Sequence, residues 1–222
     1  MDFAQARRNM VDGQVRTFDV SHIPLLAALE EVPRERFVAP GRETLAYSDE
    51  ALPVSDGADG EERRFMVKPM FLARLIQALA VEPGEKVLDV ACGLGYSSAV
   101  LARLGARVIA LEASEALAAG ARERLGSVGA DAVTVVAGPL EEGYPAEAPY
   151  DVILINGLVE VSPRRLLEQL ADGGRLACIE RVGRSGRAML YIRSGDAFGS
   201  RSIFDAAAPT LAAFKAEPGF VF

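Results

Sequence analysis

Val87-Leu88-Asp89-Val90-Ala91-Cys92-Gly93-Leu94-Gly95-Tyr96-Ser97 reads as a strand that runs into a glycine turn and out into a helix. The strand portion is nearly continuously apolar, as a strand covered on both faces must be. Gly93 and Gly95 carry no Cβ, so the backbone there can approach a ligand closely. They lie at the carboxyl end of a strand, where open α/β sheets bind cofactors. A Gly-x-Gly pair alone is weak evidence, and two acids strengthen it. Asp89 lies at the end of this strand, and Glu112, 23 residues further on, ends the next apolar run. A carboxylate at that second strand end can accept both hydroxyls of a ribose, near the spacing of about 20 residues found in dinucleotide folds.

The charge at the turn separates the possible ligands. A dinucleotide brings a pyrophosphate anion, which favours glycines and a helix N-terminus, and Asp89 would set a carboxylate beside it. S-adenosylmethionine brings an ammonium and a sulfonium, and Asp89 suits those cations directly or through water. The third glycine of a dinucleotide fingerprint would fall at Ser98. The methyl donor is therefore preferred over NAD, and the fold expected is the doubly wound, Rossmann-like α/β sheet of class I methyltransferases. The blander alternative is that Asp89 and Glu112 are only polar strand ends.

Outward from the turn, short apolar strands alternate with helices, the signature of βαβ units in a parallel sheet. Strands are predicted at 86–91, 107–112, 132–137, 150–155 and 174–180, and helices at 96–104, 114–126 and 163–171. Ala188 to Arg193 alternates in polarity. Beyond it the tail carries Phe198, Phe204, Phe214, Phe220 and Phe222, which fits an antiparallel addition to the sheet. Before the turn the chain reads as helices over 3–16 and 23–31 with a short segment after Pro40, punctuated by Pro24, Pro33 and Pro40. Residues 49–64, rich in Gly, Asp and Glu, read as a mobile surface loop that buries little, either a lid or a plain linker. Phe71, Leu72, Leu75, Ile76 and Leu79 recur at helical spacing, and that helix stops before Pro83-Gly84.

The 222 residues, half of them hydrophobic, suit one domain over 1–222, with helices and a substrate loop over 1–80, the cofactor-binding core over 81–182 and strands over 183–222. A net charge of -7 disfavours a nucleic-acid partner. No apolar run reaches bilayer length, so no membrane partner and a cytoplasmic location are expected. Cys92 and Cys178 have no metal or redox spacing and read as buried thiols. The single histidine, His22, precedes an amphipathic run and reads as a helix-start residue. With one histidine, a zinc site or a Ser-His-Asp relay is disfavoured, and no metal is expected.

With these residues in view, the chain resembles the protein-L-isoaspartate O-methyltransferase family over nearly its whole length. MVDGQVRTFDVSHIPLLAALEEVPRERFVAP is similar to that family's N-terminal helices with their VPRERFV segment. VLDVACGLGYSSAVLA is similar to its glycine turn, VIALEASEALAAGARERL to its second strand and helix, and APYDVILINGLVEVSPRRLLEQLADGGRLACIE to its fourth and fifth strands. The resemblance implies S-adenosylmethionine as cofactor, a protein or peptide carboxylate as methyl acceptor, and a monomer. Carried across, the cofactor-binding positions are Asp89, Ala91, Cys92, Gly93, Gly95, Tyr96, Ser97, Glu112, Gly138, Pro139 and Leu140.

Three positions depart from the family pattern. Phe65-Met66-Val67-Lys68-Pro69 stands where the family has Gly-Gln-Thr-Ile-Ser-x-Pro, so the hydroxyl set near the transferring methyl is absent. Gly138-Pro139-Leu140 replaces a Gly-Asp-Gly that faces the adenine amino group, removing a carboxylate and a backbone N–H. Ala91 replaces the first glycine of the turn, at a cost of about 1 kcal/mol if that position needs a positive φ. No catalytic residue is assigned; Val67, Pro69 and Asn156 are the candidates nearest the acceptor. Lys68 could attract an acceptor carboxylate, although a solvated surface charge is the commoner role. Two further readings stay open: a small-molecule or other acceptor on the same fold, or a degenerate fold that binds without catalysing.

Overall fold

In the computed structural model, which describes residues 1–57 and 62–217, the apolar run before the glycine turn forms β3 (Lys86–Val90). Two very short strands precede it, β1 (Leu52–Pro53) and β2 (Phe65–Met66). Among the described residues β3 lies inside a seven-stranded sheet. To one side are β4 (Arg107–Glu112) and then β5 (Thr134–Ala137). To the other are β6 (Tyr150–Val159), β7 (Leu170–Val182), β8 (Ser185–Ser194) and β9 (Ala197–Asp205). Strands β3 to β7 pair in parallel, and β8 and β9 add antiparallel. Chain order runs outward in both directions from β3, so the switch point falls between β3 and β6, with its crevice at their carboxyl ends.

Successive side chains of a strand face opposite sides of the sheet, and both sides are covered. Val87 belongs to one apolar core, shared with α2 (Ile23–Glu31), α3 (Pro69–Leu79), α4 (Tyr96–Arg103) and α5 (Glu115–Ser127). Leu88 belongs to the other, with Leu140, Leu166, Leu167, Leu211 and Phe214. The helix predicted from Phe71 to Leu79 is α3, started by Pro69 at its first position, where a missing N–H costs nothing. His22 is the N-cap of α2.

Several boundaries differ from the sequence reading. The helix predicted over 3–16 is α-helical only as α1 (Phe3–Met10), then winds through a π turn at Val11–Val15 and a 3-10 turn at Arg16–Phe18. After Pro40 there is a single 3-10 turn, Glu43–Leu45. The helix predicted over 163–171 shrinks to one turn, α6 (Arg164–Leu167), because Leu170 already pairs with Tyr150 as the first residue of β7. Strand 132–137 begins at Thr134, and strand 150–155 continues to Val159.

The larger correction concerns 49–64. Its flanks form the antiparallel β1–β2 pair, and Leu52, Val54 and Arg64 are each at most 6% exposed. Apolar residues scattered among the acids were enough to fasten both arms to the body; 58–61 lie outside the described residues. The tail also departs from a purely β addition. After β9 it crosses back over β6, where Leu158 bridges Thr210, and Phe214 is buried there. Phe204 is buried, Phe198 partly so, and Phe220 and Phe222 lie outside the described residues. No described helix is long and apolar enough to cross a membrane.

Candidate functional site

The chain leaves β3 through three residues in the left-handed region, Ala91 (φ +59°), Gly93 (φ +58°) and Gly95 (φ +95°). Ala91 thus occupies a conformation that disfavours any side chain, the condition under which the sequence assigns it a cost. Gly95 is the N-cap of α4, and a Cβ there would meet the Leu125 side chain at 3.1 Å. Gly93 is equally close-packed: a Cβ would lie 3.3 Å from Val54 Cγ2.

Asp89 is fully buried beneath this turn. Its Oδ2 accepts from the hydroxyls of Ser97 (2.7 Å) and Ser98, and its Oδ1 from Asn156 Nδ2 (2.6 Å), which also donates to the Val90 carbonyl (3.0 Å). Burial pushes the Asp89 carboxyl up to about 6, against the pull of those three hydrogen bonds. Asp89 therefore ties the first turn of α4 to β3, and Asn156 links β6 to both. Ser98, conspicuous in the sequence as a missing glycine, is one of the groups that hold this acid.

Glu112 is also fully buried. Its Oε2 accepts the Gly93 amide (2.8 Å), and its Oε1 accepts the Ala113 amide (2.8 Å). Oε1 also receives Arg64 Nε (3.2 Å) and Nη2 (3.1 Å). Arg64 is 4% exposed; its remaining arm, Nη1, meets Glu62 Oε2 at 3.0 Å, and Glu62 Oε1 accepts the Ala212 amide at 2.7 Å. A continuous chain of contacts thus runs from the tail through Glu62, Arg64 and Glu112 to the glycine turn.

The other predicted positions fall around this centre. Gly138 donates its amide to the Glu112 carbonyl (3.0 Å), so Gly138-Pro139-Leu140 abuts the end of β4, with Pro139 exposed and Leu140 buried. Cys92 is buried, and desolvation together with Asp89 and Glu112 holds its thiol well above the usual range. Cys178 is buried and unpaired, far along β7. Tyr96 is buried under the guanidinium of Arg34, 4.7 Å from its ring centroid. Arg34 Nη2 donates to the Val67 carbonyl and Nε to the Ala46 carbonyl, both at 2.8 Å. Val67 and Pro69 are buried at the start of α3. Lys68 lies 4.0 Å from the carboxylates of Asp49 and Glu50, so its charge is answered by this chain's own acids.

The sequence reading missed Arg34, Glu62 and Arg64. Arg64 stands at the end of an acidic stretch, where a solvated arginine is the ordinary expectation; the available signal was the apolar Phe65-Met66-Val67 that follows and draws it inward. In kind, the residues fit a nucleoside cofactor, with an acid at the β4 end beside a close-approach glycine turn. The space between turn and β2, bounded by Phe37, Val54, Met66, Ala91, Gly93 and Asn156, is about 10 Å³, room for roughly one water. Val54 and Met66 are among the side chains that narrow it.

A doubly wound sheet with acids ending adjacent parallel strands beside a glycine turn defines the class I methyltransferase fold. Within that class, the model of the protein-L-isoaspartate(D-aspartate) O-methyltransferase family matches residues 7–202, and the chain belongs to that family. It is 38% identical over 206 residues to the protein-L-isoaspartate O-methyltransferase of Roseiflexus castenholzii, covering 92% of this chain and 91% of that one. The enzyme of that name from Methanoregula boonei is 40% identical over 195 residues, covering 88% and 85%. Among solved structures, a protein-L-isoaspartate O-methyltransferase superposes with a TM-score of 0.81 at 25% identity, over 93% of this chain and 66% of that one. A putative Plasmodium falciparum member, solved in complex with S-adenosyl-L-homocysteine, shares the fold with a TM-score of 0.77 at 17% identity, over 93% and 98%.

Proposed function

We propose that the protein is an S-adenosylmethionine-dependent methyltransferase that esterifies a carboxylate, with an isoaspartyl side chain of a protein or peptide as the acceptor its family membership favours. The observation that carries this reading is the pairing of Glu112 with the Gly93 amide across the ends of β4 and β3, in a chain of this family. Glu112 takes the ribose hydroxyls, and the backbone of Ala91, Cys92, Gly93 and Gly95 lines the amino-acid end, with Tyr96 and Ser97 opening α4. Asp89 acts mainly by holding that turn in shape. Gly138, Pro139 and Leu140 border the adenine, and Val67, Pro69 and Asn156 border the acceptor.

When bound, the cofactor supplies a methyl group activated on a sulfonium. An aspartyl-type carboxylate with a reference pKa of about 3.9 is ionised at neutral pH, so the protein needs no general base. Its task is to hold donor and acceptor in line, roughly 3–3.5 Å apart, and to exclude water. Val67 and Met66 make the acceptor side apolar, which favours a second reading with the same cofactor and a less polar acceptor.

Labelled methyl transfer from S-adenosylmethionine onto an isoaspartyl peptide, with the matching aspartyl peptide as control, tests the assignment. Transfer confined to the isoaspartyl peptide supports it. No transfer to any carboxyl acceptor, combined with no binding of S-adenosylhomocysteine, overturns it.

A further inference from the structure

We propose that Arg64 is a built-in competitor for the ribose of the cofactor, so that loading requires this side chain to leave Glu112. The inference rests on the cofactor reading above and concerns a second group that the same carboxylate holds.

A carboxylate offers about four lone-pair sites. The amides of Ala113 and Gly93 take one on each oxygen of Glu112, with the Ser114 amide at a longer 3.4 Å from Oε1, and these bonds lie within the frame of the sheet and turn. A ribose diol needs acceptor capacity on the face that remains, and the guanidinium of Arg64 stands there with Nε and Nη2 both on Oε1. Arg64 is no surface residue that drifts in: it is 4% exposed, and its planar fork is stiff. Its backbone is fixed on both sides, because its carbonyl accepts the Val54 amide (2.9 Å) and its amide donates to Ser55 Oγ (2.9 Å). Those bonds also seat Val54 against Gly93, so one local displacement frees both the carboxylate and the close-approach surface of the turn. Glu62 holds the outer arm and is itself held by the Ala212 amide. Just outside Arg64 lies an open hollow of about 210 Å³, lined by Glu62, Arg64, Glu112, Ala113 and Ser114. Withdrawal of the guanidinium joins that hollow to the turn.

The test is calorimetry with S-adenosylhomocysteine on the wild type, Arg64→Ala and Glu62→Ala. Removing the competitor raises the fraction of protein with a free carboxylate, and affinity rises in proportion. Arg64→Ala is expected to bind on the order of tenfold more tightly or better, the scale of one lost charge-assisted contact. Glu62→Ala, which only loosens the outer arm, gains a few-fold, and it decides the matter if Arg64→Ala does not fold. Hydrogen exchange gives the readout that a merely structural arginine would not move: ligand added to the wild type speeds exchange of the Val54 amide. Equal, tight binding by all three proteins, with Val54 protection unchanged, overturns the competition and leaves the cofactor reading intact. No binding by any of them overturns the cofactor reading, and the competition with it.

Discussion

At the scale of single residues, the site is built on two buried acids with different roles. Asp89 is held by hydroxyls and an amide, and its carboxyl titrates at about 6, above the 3.8 of the free group. A raised folded-state pKa means that the folded protein binds the proton more tightly, so this group's contribution to stability is full below about 3.8 and is lost as pH rises through 6. Between pH 7.5 and pH 5 the wild type should gain on the order of 1 kcal/mol relative to Asp89→Asn, as urea unfolding of both proteins would show. A difference that is flat with pH would mean that Asp89 stays ionised throughout. Ala91 makes a second residue-scale statement. Its left-handed backbone is costly for any side chain, and Ala91→Gly should stabilise the protein by about 1 kcal/mol, raising Tm by a few degrees in a chain of this size.

At the scale of elements, the start of α3 carries the clearest functional consequence. Val67 is buried there with its carbonyl on Arg34, and it presents methyl groups where the family pattern has a hydroxyl. An acceptor carboxylate that loses a hydrogen bond on entering costs about 1–3 kcal/mol, which removes one to two orders of magnitude in rate. Isoaspartyl methylation by the wild type is therefore expected to be slow, and Val67→Ser should raise kcat/KM on an isoaspartyl peptide by about tenfold. An unchanged value would show that the shape of this segment, rather than its missing hydroxyl, limits the reaction. The parallel strands were legible because strands buried on both faces leave unbroken apolar runs, and Asp89, Gly93 and Glu112 were legible because they sit where those runs end. The β1–β2 pair was not, since two-residue strands leave no periodicity and Val54 and Arg64 take their meaning from distant partners. The shortening of α6 was hidden for a related reason: the pairing of Leu170 with Tyr150 overrides a helical pattern.

At the scale of the whole molecule, the Arg64–Glu112 contact fastens residues from opposite ends of the site and contributes to global stability. Removing one partner of a buried ion pair strands the other, at a typical cost of about 3–5 kcal/mol. Glu112→Ala should be destabilised on that scale, and the double variant Arg64→Ala/Glu112→Ala by clearly less than the sum of the singles, as a chemical-denaturation cycle would reveal. Arg64→Ala should thus combine lower stability with tighter S-adenosylhomocysteine binding, two effects of opposite sign from one side chain. The same contact bears on how long the molecule survives in a cell. Degradation follows the population of opened chains, and many proteins with an empty cofactor cleft open more readily until ligand arrives. Here a guanidinium from the protein's own chain answers the buried carboxylate whenever no nucleoside is bound, so the gain in protease resistance on binding ligand should be smaller than in Arg64→Ala. The amount of protein would then depend less on the supply of methyl donor than that of the Arg64→Ala form, which would become short-lived whenever that donor runs low.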